Sequence, residues 1–311
     1  MTKIFSGALI LSIITLILGA AFAACSSDDA TTTPQTSAPN GKPIVVATTI
    51  QITALTREVG GDKIDLTGII PAGADPHEFE PRASDLTKIE NANVILRHGM
   101  GLDDWLDDTL SAAHEDATTV TEGVVPLKGD EDGATVDDPH VWHDPANDKI
   151  MVENIAAALE SADPANRAAY DANARAYEQK LDDTKEQVQA IINEIPESDR
   201  KLVTNHDAFG YFARAFGLTI VGAVIPSVSS GSEPSAKDTA ALLDLIDREH
   251  VKAIFAETSV NSSLAATLAS DAHVKIVDDL YGDSLGQPGS GADTVDGMLL
   301  ANARKITDAL K

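Results

Sequence analysis

The chain has 311 residues, a single cysteine, and 49 acidic against 23 basic residues, which gives a formal net charge of −26 at pH 7. Such a chain repels nucleic acid and anionic lipid, so a nucleic-acid partner is excluded. The lone Cys25 cannot form a disulfide within the chain. The charge also favours cations, but acidic residues most often form solvated surface, so the charge alone predicts no function.

The first 24 residues have the layout of a secretory signal peptide. Lys3 is followed by an unbroken apolar run and then by small residues up to Ala24. The run is about long enough to span a bilayer, but it leads directly into residues 25–42, which start at Cys25 and are rich in Ser, Thr, Pro and Asp. That composition predicts a disordered linker. We therefore expect cleavage and export, which removes Lys3 and makes the net charge −27.

Cys25 stands where a bacterial lipoprotein signal places the residue that is lipidated after cleavage. Phe22 occupies a position where such signals usually have leucine, so plain cleavage at a small-x-small site is the alternative. With lipidation, the protein is anchored to the outer face of the cell membrane. Without it, the protein is secreted or periplasmic.

From residue 43 onward, short β-rich runs alternate with helical patterns, as in βαβ units. Predicted strands cover residues 43–50, 63–70, 92–99, 201–206, 218–225, 251–258 and 273–279. Predicted helices include 105–113, 236–249 and 262–271. The pattern predicts an α/β protein with two lobes, 43–163 and 196–311, each a mainly parallel sheet flanked by helices.

One long helix is predicted between the lobes, over residues 164–195. Asp163-Pro164 is a typical helix start, and Pro196 ends the pattern. Apolar residues fall on one helix face at Tyr170, Tyr177, Leu181, Val188, Ile191 or Ile192, and Ile195. A coiled-coil dimer needs a similar stripe, but this one is too short to favour it. We expect a monomer in which a rigid helix lies along both lobes and allows less opening than flexible strands would.

Three of the eight histidines follow a β-rich or acidic segment or end a strand. His77 follows the second predicted strand, His140 follows an acidic, glycine-containing loop at 127–138, and His206 ends the first strand of the second lobe. Functional groups of open parallel sheets gather beyond the carboxyl ends of the strands. Any one of these histidines alone could be merely exposed, but the three together predict a metal site.

Two of these histidines belong to Asp-Pro-His units, at residues 75–77 and 138–140. Proline holds the preceding Asp extended and so places a carboxylate near the imidazole. Such a carboxylate can accept the Nδ1 proton and orient Nε2 towards a metal. Turn initiation by Asp-Pro is a structural role that is compatible with this one.

The other histidines are weaker candidates. His143 lies three residues after His140, a chelating spacing on a helix, but Pro139 and Pro145 argue against regular helix there. His98 lies near a strand end and is the next candidate. Three more are expected to have no metal role: His114 on an exposed helix face, His250 at a helix end, and His273 at the start of a strand.

Three imidazoles and one carboxylate would suit zinc or another first-row divalent ion. The acidic candidates near strand ends are Glu257 and the group Asp278, Asp279 and Asp283, although each Asp could instead cap a helix. A zinc hydrolase, with Glu257 or Glu78 as general base, is the main alternative from another class. The chain has no HExxH pair, which argues against it. A surface adhesin with an incidental metal is a further alternative.

Seven segments carry a family resemblance. They are IVVATTI, ADPHEFEPRASDLTKIENANVIL, DPHVWHDP, NHDAFGYFARAFGL, SSGSEPSAKDTAALLDLI, IFAETSVN and DLYGDSLGQPGSGADTVDGML. Together they resemble the metal-binding lipoproteins of bacterial ABC importers for zinc and manganese, the cluster A-I (cluster 9) solute-binding proteins, in the family order. The resemblance implies two α/β lobes joined by one long rigid helix, with the metal in the cleft between them.

The resemblance also implies which residues bind the metal: His77, His140, His206 and Asp283. Asp283 is assigned from YGDSLG, which matches the family's Tyr-x-Asp-Ser-Leu pattern, in preference to Asp279. Manganese-binding members often have Glu at the third position, so His206 favours zinc, with manganese or iron as the alternative.

The implied function is capture without catalysis. The protein would bind the ion outside the cytoplasm and deliver it to an ABC permease and its ATPase. Many zinc-specific relatives carry a His-rich loop before the second histidine, whereas this chain has the acidic KGDEDGATVDD there. The resemblance therefore does not extend to capture by loop histidines, although the carboxylates could collect ions weakly.

Overall fold

The computed structural model describes residues 41–113, 116–131 and 133–311. The predicted signal peptide, the predicted lipidation site Cys25, and His114 lie outside the described residues. Across the described ranges, no helix is both long and apolar enough to cross a membrane.

The first half of the described chain contains six strands and four helices: β1 (Ile44–Ala47), α1 (Ile50–Gly60), β2 (Asp65–Gly68), α2 (Ala83–Glu90), β3 (Val94–Arg97), α3 (Leu106–Ala113), β4 (Thr118–Thr119), β5 (Lys128–Glu131), β6 (Ala134–Asp137) and α4 (Pro145–Ala162). The second half contains α5 (Arg167–Ile192), β7 (Lys201–His206), α6 (Gly210–Phe216), β8 (Thr219–Ile225), α7 (Ala236–Glu249), β9 (Ala253–Glu257), α8 (Ser263–Asp271), β10 (Lys275–Leu280) and α9 (Val295–Leu310).

The strands form two parallel sheets, with the orders β2-β1-β3-β4 and β10-β9-β7-β8. We call the first sheet with α1–α4 the N-lobe and the second with α6–α9 the C-lobe. This arrangement confirms the predicted α/β class with two lobes and a long joining helix, while the boundaries at residues 163 and 196 stay a prediction.

Central strands of both sheets are apolar because parallel sheets are covered on both faces. Val45 and Val46 of β1 and Ile254 and Phe255 of β9 are fully buried. The carboxyl ends of these strands, and the loops that follow them, face the region between the lobes. His206 ends one of these strands, β7, so polar side chains can meet at these strand ends.

The long helix α5 joins the lobes after a 3-10 turn at Pro164–Asn166. Its predicted apolar face is buried, at Tyr170, Tyr177, Leu181, Val188 and Ile192. It packs against α1 and α4 of the N-lobe and against α9 of the C-lobe. One continuous apolar core contains residues of both lobes and of α5. The lobes are therefore joined by close packing as well as by the chain, which opposes wide opening.

The prediction of a loop at 127–138 was wrong. This segment forms an antiparallel hairpin, β5 and β6, in which Lys128 pairs with Asp137 and Glu131 with Ala134. Its charged side chains give no apolar alternation, so the sequence carries no strand signal. A contact with the C-lobe supports it instead, since the Val228 amide donates to the Asp130 carbonyl at 2.9 Å.

Candidate metal centre

Four side chains from four separate segments meet between the lobes. His77 lies in the loop after β2, and His140 lies between the hairpin and α4. From the C-lobe, His206 ends β7 and Asp283 lies in the loop after β10. One nitrogen or oxygen of each lies within 4.8 Å of those of the other three. The structure thus brings together the four residues that the family resemblance assigns as ligands, two from each lobe.

The nitrogen and oxygen atoms of this cluster lie at distances close to those of a tetrahedral metal site. The His140 Nε2 lies 3.3 Å from Nε2 of His77 and 3.2 Å from Nε2 of His206. Oδ1 of Asp283 lies 3.2 Å from Nε2 of His140, and Oδ2 of Asp283 lies 3.2 Å from Nε2 of His206 and 3.8 Å from Nε2 of His77. Zinc bonds of 2.0–2.1 Å in a tetrahedron separate ligand atoms by about 3.3 Å. These residues therefore fit a zinc-sized ion with little rearrangement.

Two buried carboxylates orient the histidines. Nδ1 of His140 donates to Asp138 at 2.7 Å, and Nδ1 of His206 donates to Glu257 at 2.6 Å. These bonds turn both Nε2 atoms towards the centre, as second carboxylates do for metal-bound histidines. The expectation that the Asp of an Asp-Pro-His unit orients the imidazole thus holds for Asp138. Glu257, which the sequence offered as a candidate ligand, lies behind His206 and bonds its ring instead.

Asp75, in the other Asp-Pro-His unit, makes different contacts. Its carboxylate accepts from the backbone amide of His77 at 2.9 Å and from the Ser230 hydroxyl at 2.6 Å. The first bond shapes the turn that carries His77. The second joins this turn to the C-lobe, so Asp75 fixes the loop rather than the His77 ring.

Glu257→Gln is expected to weaken metal binding roughly tenfold or more. The neutral amide can still accept from His206, but its NH2 group would face the Asp283 amide, which now donates to Glu257 at 3.3 Å. Titration of the apoprotein with zinc against a chelating indicator measures the change. Affinity equal to that of the parent would show that the orientation of His206 does not depend on this carboxylate.

Charge within the cluster opposes the effect of burial. Burial is the main cause that lowers the pKa of His77 to about 3, and the charges of His140 and His206 act in the same direction. Burial acts on His140 in the same direction, but the carboxylates of Asp283 and Asp138 raise its pKa to about 9. His206 is also buried, yet Glu257 and Asp283 raise its pKa well above the usual range. The neighbouring carboxylates therefore favour the protonated forms of His140 and His206, and a metal ion would compete with these protons.

His143 and His98 lie near the cluster but outside it. His143 is buried, its ring is stacked on Phe209 at 4.8 Å, and burial lowers its pKa to about 3. A short 3-10 turn, Val141–His143, stands where a regular helix would be needed for chelation with His140. Nε2 of His98 bonds the Pro139 carbonyl at 2.7 Å and so supports the turn before His140.

The remaining candidates are distant from the centre or exposed. His250 ends α7 in a left-handed conformation, and His273 precedes β10; both are exposed. Asp279 is exposed and pairs with Lys305 at 2.9 Å, which supports the choice of Asp283 over it. Asp278 is also exposed.

Trp142 is a contributor that the sequence reasoning missed. Its indole lies edge-on to the His140 ring, with centroids 5.4 Å apart, and its Nε1 donates to the Gly282 carbonyl at 3.0 Å. The sequence signal for this role is the position of Trp142 between His140 and His143 in DPHVWHDP. Trp142 thus packs against His140 and, through its hydrogen bond to Gly282, holds the chain next to Asp283.

A cavity of about 480 Å³ lies beside His77, the most exposed of the four residues. Its lining includes the carboxylates of Asp104, Glu131 and Asp137. Two of them, Glu131 and Asp137, belong to the acidic hairpin. The approach to the centre from solvent is thus on the His77 side. Of the three carboxylates, Asp104 is paired with Arg97 and Asp137 with Lys128.

Comparison with known proteins places this geometry in a family. The family model described as zinc-uptake complex component A periplasmic, ZnuA, matches residues 45–309. The chain belongs to this family. The resemblance read from the seven sequence segments is thereby confirmed, and the ZnuA match covers both lobes, α5 and all four clustered residues.

Relatives of this ZnuA-family chain carry different metals in their names. It is 32% identical over 276 residues to the manganese ABC transporter substrate-binding lipoprotein PsaA of Streptococcus mitis, covering 86% of this chain and 88% of that protein. It is 32% identical over 310 residues to the iron ABC transporter substrate-binding lipoprotein MtsA of Streptococcus pyogenes serotype M1, covering 95% and 97%. The periplasmic zinc binding protein TroA from Treponema pallidum superposes with a TM-score of 0.81 at 30% identity, covering 87% of this chain and 99% of that one.

Proposed function

We propose that this protein is the extracytoplasmic binding component of an ABC importer and that its cargo is zinc. The observation that carries the proposal is the cluster of three imidazole nitrogens and one carboxylate at tetrahedral spacing. His77, His140, His206 and Asp283 are the proposed ligands. Relatives named as metal ABC transporter substrate-binding lipoproteins support the transport role.

Ligand chemistry favours zinc over manganese. Nitrogen-rich tetrahedral sites suit zinc, whereas manganese prefers six mostly oxygen ligands. The names of relatives include manganese, iron and zinc, so they do not decide between these ions. Manganese or iron remains the alternative cargo.

Capture fits the site better than hydrolysis. Four protein ligands fill a tetrahedral zinc, whereas catalytic zinc keeps one position for water. Glu257, one proposed base, is fully buried and engaged by His206 and by the Asp283 amide. Glu78, the other, is exposed in the loop that carries His77. Neither carboxylate stands ready to activate a metal-bound water.

The proposed partners are a membrane permease and its ATPase, which would accept the ion when the cleft loosens. We propose that the protein is held at the outer face of the membrane through lipidated Cys25, as the names of the lipoprotein relatives suggest. A surface adhesin role has no feature of the described structure in its favour. The protein is proposed to act as a monomer.

Metal analysis of protein purified without chelator is expected to find one zinc per chain, because the cluster supplies one complete ligand set. Competition between zinc and manganese should then favour zinc by at least roughly a hundredfold, in line with the nitrogen-rich ligands and the Irving–Williams order. Elemental analysis and competitive titration of the apoprotein give both values.

Uptake of no divalent ion at micromolar concentration would overturn the transport proposal. Equal affinity for zinc and manganese would leave the binding role intact and remove the preference for zinc. Zinc-dependent turnover of ester or peptide substrates by the parent, lost on metal removal, would favour the hydrolase.

A further inference from the structure

The segment Gly282–Ser284, which carries the proposed ligand Asp283, is bound by three separate elements of the N-lobe. Trp142 Nε1 donates to the Gly282 carbonyl at 3.0 Å, and Gln51 Nε2 donates to the Asp283 carbonyl at 2.9 Å. The Gly73 amide donates to the Ser284 hydroxyl at 2.6 Å. Three consecutive residues of the C-lobe chain are therefore held by the opposite lobe.

The same segment is also attached to its own lobe. The Asp283 amide donates to Glu257 at 3.3 Å, and just before it both backbone groups of Tyr281 bond the Asn302 side chain of α9. A Cβ on Gly282 would lie 1.6 Å from a Glu257 oxygen, so this segment is pressed against the C-lobe wall. The main chain of Asp283 is thus held on its N–H side by one lobe and on its carbonyl side by the other.

We propose that Gly282–Ser284 is an interlobe clasp whose hydrogen bonds to the N-lobe set the rate at which the bound metal is released. The inference rests on the proposed function. Separation of the lobes has to break these three bonds before Asp283 can leave the N-lobe ligands His77 and His140. The clasp is bonded through the backbone carbonyls of Gly282 and Asp283 and through the Ser284 hydroxyl, not through the Asp283 carboxylate, so it acts on the proposed ligand by position and not by contact with the ion.

Gln51 is the residue best placed to test the clasp. It lies in the first turn of α1, it is fully buried, and its Oε1 has no hydrogen-bond partner among the described residues. Burying an amide with an unpaired oxygen costs stability. The bond from Nε2 to the Asp283 carbonyl is the hydrogen bond that the described residues give to this side chain in return. This bond reaches the backbone carbonyl of Asp283 and not its carboxylate, so Gln51 is a positioning residue.

Stopped-flow release of zinc from the loaded full-length protein into excess EDTA measures the effect. Gln51→Met keeps an unbranched side chain of similar length but removes the donor, and Ser284→Ala removes the acceptor of the Gly73 amide. Each is expected to accelerate zinc release roughly three- to tenfold, the effect of one net hydrogen bond. The association rate should stay at that of the parent, because the four ligands are unchanged.

Asn173→Leu is the matched control. Asn173 Nδ2 donates to the Val59 carbonyl at 2.9 Å, the same bond type and length, but between α5 and α1 away from the centre. It should lower the melting temperature of the metal-free protein about as much as Gln51→Met while leaving zinc release unchanged.

Parent-like zinc release in Ser284→Ala, or equal acceleration by Asn173→Leu, overturns the clasp. If Gln51→Met fails to fold, the zinc release rate of Ser284→Ala, compared with that of Asn173→Leu, decides whether the clasp exists. Failure of the clasp is distinguishable from failure of the proposed function, because the parent would still bind one zinc per chain. A parent that binds no zinc would instead remove the function on which the clasp depends.

Discussion

Replacing His140 by alanine is expected to weaken zinc binding roughly a hundredfold to a thousandfold. Structural zinc sites with four ligands gain about 10–16 kcal/mol, so one ligand accounts for about 3–4 kcal/mol, and each 1.4 kcal/mol is tenfold in affinity. His140 is also the ring closest to the other ligands, with His77, His206 and Asp283 all within 3.3 Å of its Nε2. Its loss leaves Asp138 and Asp283 buried without this partner, which adds to the cost.

Alanine at His77, His206 or Asp283 should weaken binding to a similar extent, and competitive titration against a zinc chelator measures all four variants. His143→Phe is the control, because it keeps the stacking on Phe209 and removes both nitrogens. We expect affinity within about threefold of the parent, as is usual when no ligand is changed. A loss as large as that of His140→Ala would make His143 part of the site.

The fold class could be predicted from the sequence because its signals are local, whereas the proposed ligands were assigned through the family resemblance. Strand β7 ends at His206, as its β-rich run predicts, and α7 has the predicted bounds, residues 236–249. Asp138 was readable too, since Asp-Pro-His places a carboxylate beside the ring. In each case the residues that define the feature are neighbours in the chain.

What the sequence did not predict depends on contacts between distant residues. The hairpin at 128–137 has no apolar alternation and rests on Val228 of the other lobe. The bond between Gln51 and Asp283 joins residues 232 positions apart. Helix α4 was missed for a different reason, since Asp144 and Pro145 are a local start signal that was read only as evidence against chelation.

Zinc affinity is expected to rise steeply with pH up to about pH 9, instead of levelling off near the usual histidine pKa of about 6.5. In the metal-free protein the carboxylates raise the pKa of His140 to about 9 and that of His206 well above its usual range, although burial opposes both shifts. Both rings are then protonated at neutral pH, and zinc needs their Nε2 lone pairs. Binding should release roughly two protons, so affinity should increase by about 10⁴ between pH 6 and pH 8.

Titrations at pH 6, 7 and 8, with proton release measured by calorimetry in two buffers, test this expectation. His77 adds nothing to the slope in this range, because burial lowers its pKa to about 3 and it is already neutral. Asp138→Asn should shift the steep region to lower pH, since it removes one of the charges that raise the pKa of His140. An affinity that is flat above pH 7 would mean that both rings are neutral before the metal arrives.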